Sequence, residues 1–485
     1  MNLRSSLVLL LCLWQSFSFA QEQLGIRLDN YAGINATLFN PAGHTTMPFS
    51  WDLNLIEGSQ FIDNNYAFIR NASVPNLFNS NLDIVLGPRV GSDTPLKTDQ
   101  YAVDFFDDGR KRYVFNSSRY VGPSFFFRVA GQHYIGLVTG GRFLLGGNGL
   151  TDNLSYYPFN STPDFEPFSV DPYRIGMVGF EEIGLNYAFR KPTAVGNFSF
   201  GITAKYLRGY EAAFVISAEE YEMTRLPENS LFGDGVNLEF GYTDNLIRED
   251  VDRVSPLGSG YSVDLGFVYT IGGEEGGYDW KFSGSLMDIG QLKFTKQTNV
   301  HLVNPDEPAI VDGDNYSFFD SGEEVNQVVE LFSLETLGDR QASLVNDAFN
   351  IWLPSRLNLH VDKALWNNDV YLGMVVMQTI NPGSITVPNG NLVAVVPRYE
   401  SRWIGASMPV SMYNLQKFRV GLSLRLPFLT IGTDHLGSWI TPTDLSGTDI
   451  YVAFKINPFR LGGGGNSPFP NNRGRSKDNI PCYKF

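Results

Sequence analysis

Between Phe418 and Phe428 the chain reads FRVGLSLRLPF, and from Arg419 to Leu426 it alternates strictly. Val420, Leu422, Leu424 and Leu426 fall on one side; Arg419, Gly421, Ser423 and Arg425 fall on the other. Successive side chains leave a strand on opposite faces, so a period of two predicts a strand with one oily and one polar face. The pattern returns cleanly at residues 183–189, 198–206, 261–271, 356–362 and 450–456. It returns less perfectly at 49–55, 124–129, 133–145, 280–287, 370–377 and 403–412. Alternation alone leaves two readings, the core of a soluble β-protein or a face wetted by lipid.

Run length and connections separate them. Several runs span nine to eleven residues, which suits a tilted strand crossing a bilayer, whereas strands of soluble proteins average five or six. Tyr187, Tyr206, Tyr261, Tyr269, Trp280 and Trp403 sit near run ends, as an interfacial girdle requires. Short links join residues 189 to 198, 271 to 280, 365 to 370 and 412 to 418, and long polar links (207–260, 288–354, 378–402) separate those pairs. Outer-membrane barrels have this asymmetry, with short periplasmic turns and long external loops; a sandwich has no reason to keep it.

Twelve runs are visible, and a further hairpin is expected within 212–243, where AAFVISAEEYEMT and VNLEFGYT stand. The expected fold is therefore all-β, a transmembrane antiparallel β-barrel of about 14 strands. An N-terminal segment is associated with its lumen. Lys205, Asp264, Arg356, His360, Asp362, Arg419, Arg425 and Lys455 fall on polar faces and are expected to line the lumen. No later segment reaches the ~18 to 20 uninterrupted apolar residues of a membrane helix, so entry into a membrane requires a closed barrel.

Composition sharpens this picture in three places. Aromatic residues reach 14% and glycines number 49, as in an aromatic, turn-rich β-protein. A net charge of −15 argues against a nucleic-acid partner. Residues 1–20 carry Arg4, an apolar run over 7–14 and the small residues Ser18 and Ala20. They read as a secretory signal peptide, with a buried first strand or helix as the alternative. Cys482 is then the one remaining cysteine, which suits a bacterial exported protein. The expected division is signal peptide 1–20, N-terminal segment or plug 21–47, barrel 48–459 and flexible basic periplasmic tail 460–485. Residues 323–339 read as a short amphipathic helix inside a long loop.

Candidate chemistry is sparse. The five histidines fall in no metal-ligand spacing, and neither a G-x-S-x-G elbow nor a P-loop is present. The glycines of 146–149 precede no helix pattern, which leaves them as loop glycines rather than a dinucleotide site. His360, Arg356 and Asp362 share a face; a barrel-embedded hydrolase could use such a trio, and lumen ion pairs are the ordinary reading. No enzyme activity, metal or cofactor is expected.

The segment GIRLDNYAGINATLFNPAG (25–43) resembles the N-terminal region of FadL-type and PorV-type barrels. GSGYSVDLGFVYT (258–270), SGSLMDIGQLKF (283–294), LPSRLNLHVDKAL (353–365) and LTIGTDHLGS (429–438) resemble an uncharacterised Bacteroidota outer-membrane family related to PorV-type and PorP-type proteins. The resemblance implies a barrel of about fourteen strands in outer-membrane lipid. It also implies that Asn40, Pro41, Ala42 and Gly43 form a tight turn between the plug and the first strand. Two functions follow as expectations: a passive conduit for hydrophobic or other small molecules, or a non-transporting accessory of type IX secretion or gliding that binds secretion or cell-envelope proteins. A soluble secreted β-protein is the third.

Overall fold

Each alternating run forms a strand of one antiparallel sheet, and the sheet closes on itself. A computed structural model describes residues 23–78, 83–86, 100–244, 255–272, 277–316, 325–366 and 369–458. The barrel strands are β1 (Trp51–Asn64), β2 (Arg112–Val121 continued by Ser124–Val129), β3 (His133–Leu150), β4 (Tyr173–Thr193) and β5 (Gly196–Ser217). Next come β6 (Gly258–Ile271), β7 (Trp280–Phe294), β8 (Ser355–Leu365), β9 (Val370–Ile380) and β10 (Leu392–Glu400). The last are β11 (Gly405–Ser407 and Val410–Tyr413), β12 (Lys417–Val420 and Leu422–Arg425), β13 (Leu429–Thr433) and β14 (Gly447–Ile456). Closure runs along β1 and β14, from Leu53 opposite Ile456 to Asp63 opposite Gly447.

The two faces sort as the period predicts. Leu185 is 66% exposed on the outside, and Phe200, Met374 and Leu424 are exposed beside it. Their neighbours Ser199, Lys205 and Ser423 are buried within. Leaving so much apolar surface in water costs roughly 25 cal/mol per Å2, and a closed ladder leaves no unpaired backbone edge in lipid. The architecture is that of a membrane-spanning barrel rather than two stacked sheets.

The count of fourteen is reached with a different pair of strands from the pair expected in 212–243. Residues 212–217 only extend β5, and Leu238–Thr243 pairs with that extension beyond the barrel. The additional strands are β10 and β13. In β10 the lumen-facing Leu392, Ala394 and Val396 are apolar because they pack with Leu24, Leu28 and Phe39 of the N-terminal segment. Both faces are then oily and the alternation vanishes. Inserting β10 also moves the link at 414–416 to the long-loop end, while 426–428 takes its place at the short-turn end.

Beyond the barrel stand two four-stranded sheets, one of Pro167–Val170, Tyr221–Arg225, Ser230–Asp234 and Ala309–Asp312. The other joins Ala67–Ala72, Asp83–Leu86, Gln100–Phe105 and Thr443–Leu445. A helix spans Val325–Leu337, where one was expected. The signal segment, the basic tail and Cys482 lie outside the described residues.

Candidate functional site

Residues 23–47 fill the lumen. All but Asn30, Tyr31, Gly43 and Thr46 are buried. The segment is built of single turns, the helix Leu24–Arg27 and the 3-10 turns Gly33–Leu38 and Gly43–Thr46. At Gly33 φ is +62°, and a Cβ would lie 1.9 Å from Asp52 Oδ2, so only glycine fits.

The Asn40–Gly43 turn is the centre of the contact. It links the first 3-10 turn to the second, which begins at Gly43, and lies within the N-terminal segment eight residues before β1, whereas the resemblance implied a turn between that segment and β1. Asn40 Oδ1 accepts from Ala42 N–H at 2.9 Å, and Asn40 C=O accepts from Gly43 N–H at 2.7 Å. Asn40 Nδ2 donates to the carbonyls of Phe267 (3.0 Å) and Gly284 (3.1 Å). Pro41 C=O accepts from Asn186, while Phe39 C=O accepts from Ser285 and Asn358. The wall is notched to receive the turn: a Cβ on Gly201 would lie 2.4 Å from the Pro41 carbonyl carbon, and one on Gly266 2.3 Å from Asn40 Oδ1.

Ion pairs hold the rest of the segment. Arg27 forms a two-pronged pair with Glu57 of β1, and Arg425 Nε donates to Asp29 Oδ2 at 2.7 Å. Lys455 Nζ donates to the carbonyls of Tyr31 (2.8 Å) and Ala32 (2.6 Å). Glu400 accepts from Asn30 N–H at 3.0 Å and from Arg398, which also donates to Asp362 at 2.6 Å. A second network joins wall to wall. Arg142 binds Glu182 (3.0 and 2.5 Å) and Asp288 (both 2.7 Å) through paired bonds. Lys205 reaches Asp288 at 2.8 Å and Asp264 at 2.7 Å. Fork-to-fork pairs of this kind are the strong charge-assisted bonds, and in a dry interior each partner depends on the other.

The eight residues expected on polar faces are all buried inside the barrel. The structure brings Lys205 to Asp264, and His360 to within 3.9 Å of Asp362. Arg425 and Lys455 touch the plug, whereas Arg419 stands apart with Asp63 at 2.7 Å. Arg142 and Glu182 escaped the sequence reading although their strand parity points inward. Asp288 sits in a bulge, where it and Met287 together oppose Asp264, and so loses its parity. Arg398 and Glu400 lie in the unrecognised β10.

His44 has no hydrogen-bond partner for either ring nitrogen among the described residues. It packs against Phe126 (4.9 Å between ring centres) and Tyr134 (5.4 Å). Burial lowers its pKa from 6.5 to about 3. Undocked, the ring takes up a proton near pH 6.5; docked, it stays neutral until about pH 3, so protons favour undocking between those values. Acid therefore weakens the seat of residues 23–47. Acidification from pH 7 to 4.5 is expected to raise bilayer conductance of the native protein, and His44→Leu to remove part of that rise, His360 beside Phe39 being a second buried imidazole at the same interface.

Between plug and wall, a crevice of about 20 Å3 bordered by Arg27, Phe39, Lys281 and His360 has room for a water molecule.

Residues 67–434 match the model of a family of unknown function, DUF5723. The chain belongs to this family. No curated protein matches the DUF5723 chain. Among solved structures it is similar to the toluene transporter TodX of P. putida, with 10% identity, a TM-score of 0.39, and 88% of this chain and 94% of that one covered. It is also similar to the TodX deltaS2S3 mutant monoaromatic hydrocarbon channel (10%, TM-score 0.38, 91% and 99%) and the CymD monoaromatic hydrocarbon channel (8%, TM-score 0.31, 88% and 93%).

Proposed function

We propose that the chain is a gated conduit of the bacterial outer membrane for small hydrophobic molecules, with residues 23–47 as its movable plug. The observation that supports this reading is the chemistry of the plug's seat. Backbone carbonyls, amides and ion pairs make most of the specific contacts. The neutral bonds exchange their partners for water at a net cost of roughly 0.5 to 1.5 kcal/mol each, while release of the segment also requires Leu24, Leu28 and Phe39 to leave one apolar cluster and Ile34, Leu38 and Met47 another. Where Leu24, Leu28 and Phe39 now pack, Val375, Met377, Leu392 and Tyr413 supply apolar wall for a passing solute. Many of the lumen charges are paired with one another, as in Arg27–Glu57, Arg142–Glu182, Lys205–Asp264 and Arg398–Asp362. The short-turn end, with residues 460–485, faces the periplasm in this reading.

One observation favours a second reading, a non-transporting accessory of type IX secretion or gliding machinery. The lumen is filled along the plug, so the barrel could serve as a docking platform. Proteoliposomes distinguish the two. Saturable uptake of an apolar dye that depends on the chain supports the conduit. No uptake even with the plug displaced, together with capture of a secretion subunit, supports the platform.

A further inference from the structure

Residues 381–391, NPGSITVPNGN, connect β9 to β10 at the long-loop end and carry no charge. They fold into the barrel. Val387 is 2% exposed and, with Ile385, packs into a chamber walled by Phe180, Leu207, Phe214, Leu292, Phe294 and Phe349. Thr386 bridges Trp352 in parallel register, and Trp352 N–H donates to Ile385 C=O at 2.9 Å.

The far end of this strap rests in a purpose-shaped notch. Gly146 of β3 and Gly176 of β4 lie opposite each other in the ladder. A Cβ on Gly146 would lie 1.8 Å from Pro388 C=O, and one on Gly176 2.8 Å from Thr386 C=O. Strands β3 and β4 stand six places round the fourteen-strand barrel from β9 and β10, so the strap crosses the lumen from wall to wall. Close docking of the loop on the opposite wall requires those glycines, and the buried Val387 with the half-buried Ile385 occupies an apolar volume that the wall would otherwise present to an entering molecule.

We propose that the strap is a displaceable occupant of an apolar binding chamber, with Ile385 and Val387 seated where an uncharged apolar solute binds after entering from the long-loop end. This rests on the conduit reading and names its first binding site. A solute that buries comparable apolar surface replaces the strap at little net cost, whereas a charged solute meets no partner on the strap and an unpaired desolvation cost in the chamber.

The test uses the full chain with Cys12→Ser, Cys482→Ser and Val387→Cys in detergent micelles, with 1-N-phenylnaphthylamine as the apolar probe. Maleimide labelling of the thiol introduced on the strap is expected to be slow, and adding Gly146→Val to raise its rate at least tenfold. In the chain that keeps Val387, Gly146→Val is expected to tighten probe binding by a similar factor. A second variant, Trp352→Cys with Thr386→Cys, places thiols on bridge partners within disulfide reach. Oxidised, it is expected to bind no probe; reduced, to bind as the native chain does. Equal labelling with and without Gly146→Val, or probe binding by the locked pair, overturns the proposal. Labelling and binding that respond as expected, with no transport through a plug-displaced barrel, support the chamber while refuting the conduit.

Discussion

Gly201→Leu is expected to open the lumen. The glycine faces inward from β5, which is locked in register with β4 on one side and β6 on the other. Even a methyl group there would lie 2.4 Å from the Pro41 carbonyl carbon and 2.5 Å from Ala42 N. Both are backbone atoms, and the turn that holds them cannot swing aside while Asn40 is bonded to Phe267 and Gly284. The wall strand has ladders on both edges and the plug does not, so the plug yields. Displacing the turn gives up the bonds from Asn186, Ser285 and Asn358, each worth roughly 1 kcal/mol net, in addition to those of Asn40. In planar bilayers the native chain is expected to be almost silent and Gly201→Leu to show sustained conductance steps. Added protease is expected to cut within residues 23–47 of the variant alone. Silence from both proteins, with unchanged protease resistance, would falsify the plug assignment.

Arg142→Ala is expected to produce the largest loss of stability. The arginine is buried and bridges Glu182 and Asp288, and removing it leaves three carboxylates, Glu182, Asp264 and Asp288, with Lys205 as their direct partner and Arg119 and Arg356 farther off. Deleting one member of a buried charge network costs about 3 to 5 kcal/mol, because the partners stay desolvated. The temperature at which unboiled protein converts to its slow-migrating form on a gel is expected to fall by several degrees or more. Arg142→Ala combined with Glu182→Gln and Asp288→Asn should recover part of the loss. A triple variant no better than the single one would place the arginine's contribution in packing on Phe180, 5.4 Å from its guanidinium, rather than in charge.

Period-two reading found the inward positions at Lys205, Asp264 and Arg356 because strand geometry ties parity to face without reference to the rest of the fold. It failed where the lumen stops being polar. β10 packs apolar residues against Leu24 and Leu28, so its two faces look alike, and β13 is only five residues long. The bulge in β7 hid Asp288 for the complementary reason, since one unpaired residue shifts the parity of all that follow. The Asn-Pro-Ala-Gly turn was visible as a turn, but its seat was not. The glycines that receive it lie more than 150 residues away, on β5 and β6, and no local pattern links them. The strap was likewise invisible: residues 381–391 look like an ordinary polar link until Gly146 and Gly176 are brought opposite.

Nitroxide labels at Phe200→Cys and Ser199→Cys, one position apart on β5 and read in lipid vesicles, probe the arrangement directly. Phe200 points outward at 45% exposure and Ser199 inward at 3%. The label at 200 should collide with dissolved oxygen in the hydrocarbon and be shielded from a water-soluble nickel reagent, and the label at 199 should be shielded from oxygen. The opposite ranking, with 199 in hydrocarbon and 200 in a packed interior, would contradict an oily exterior and a polar, plugged lumen.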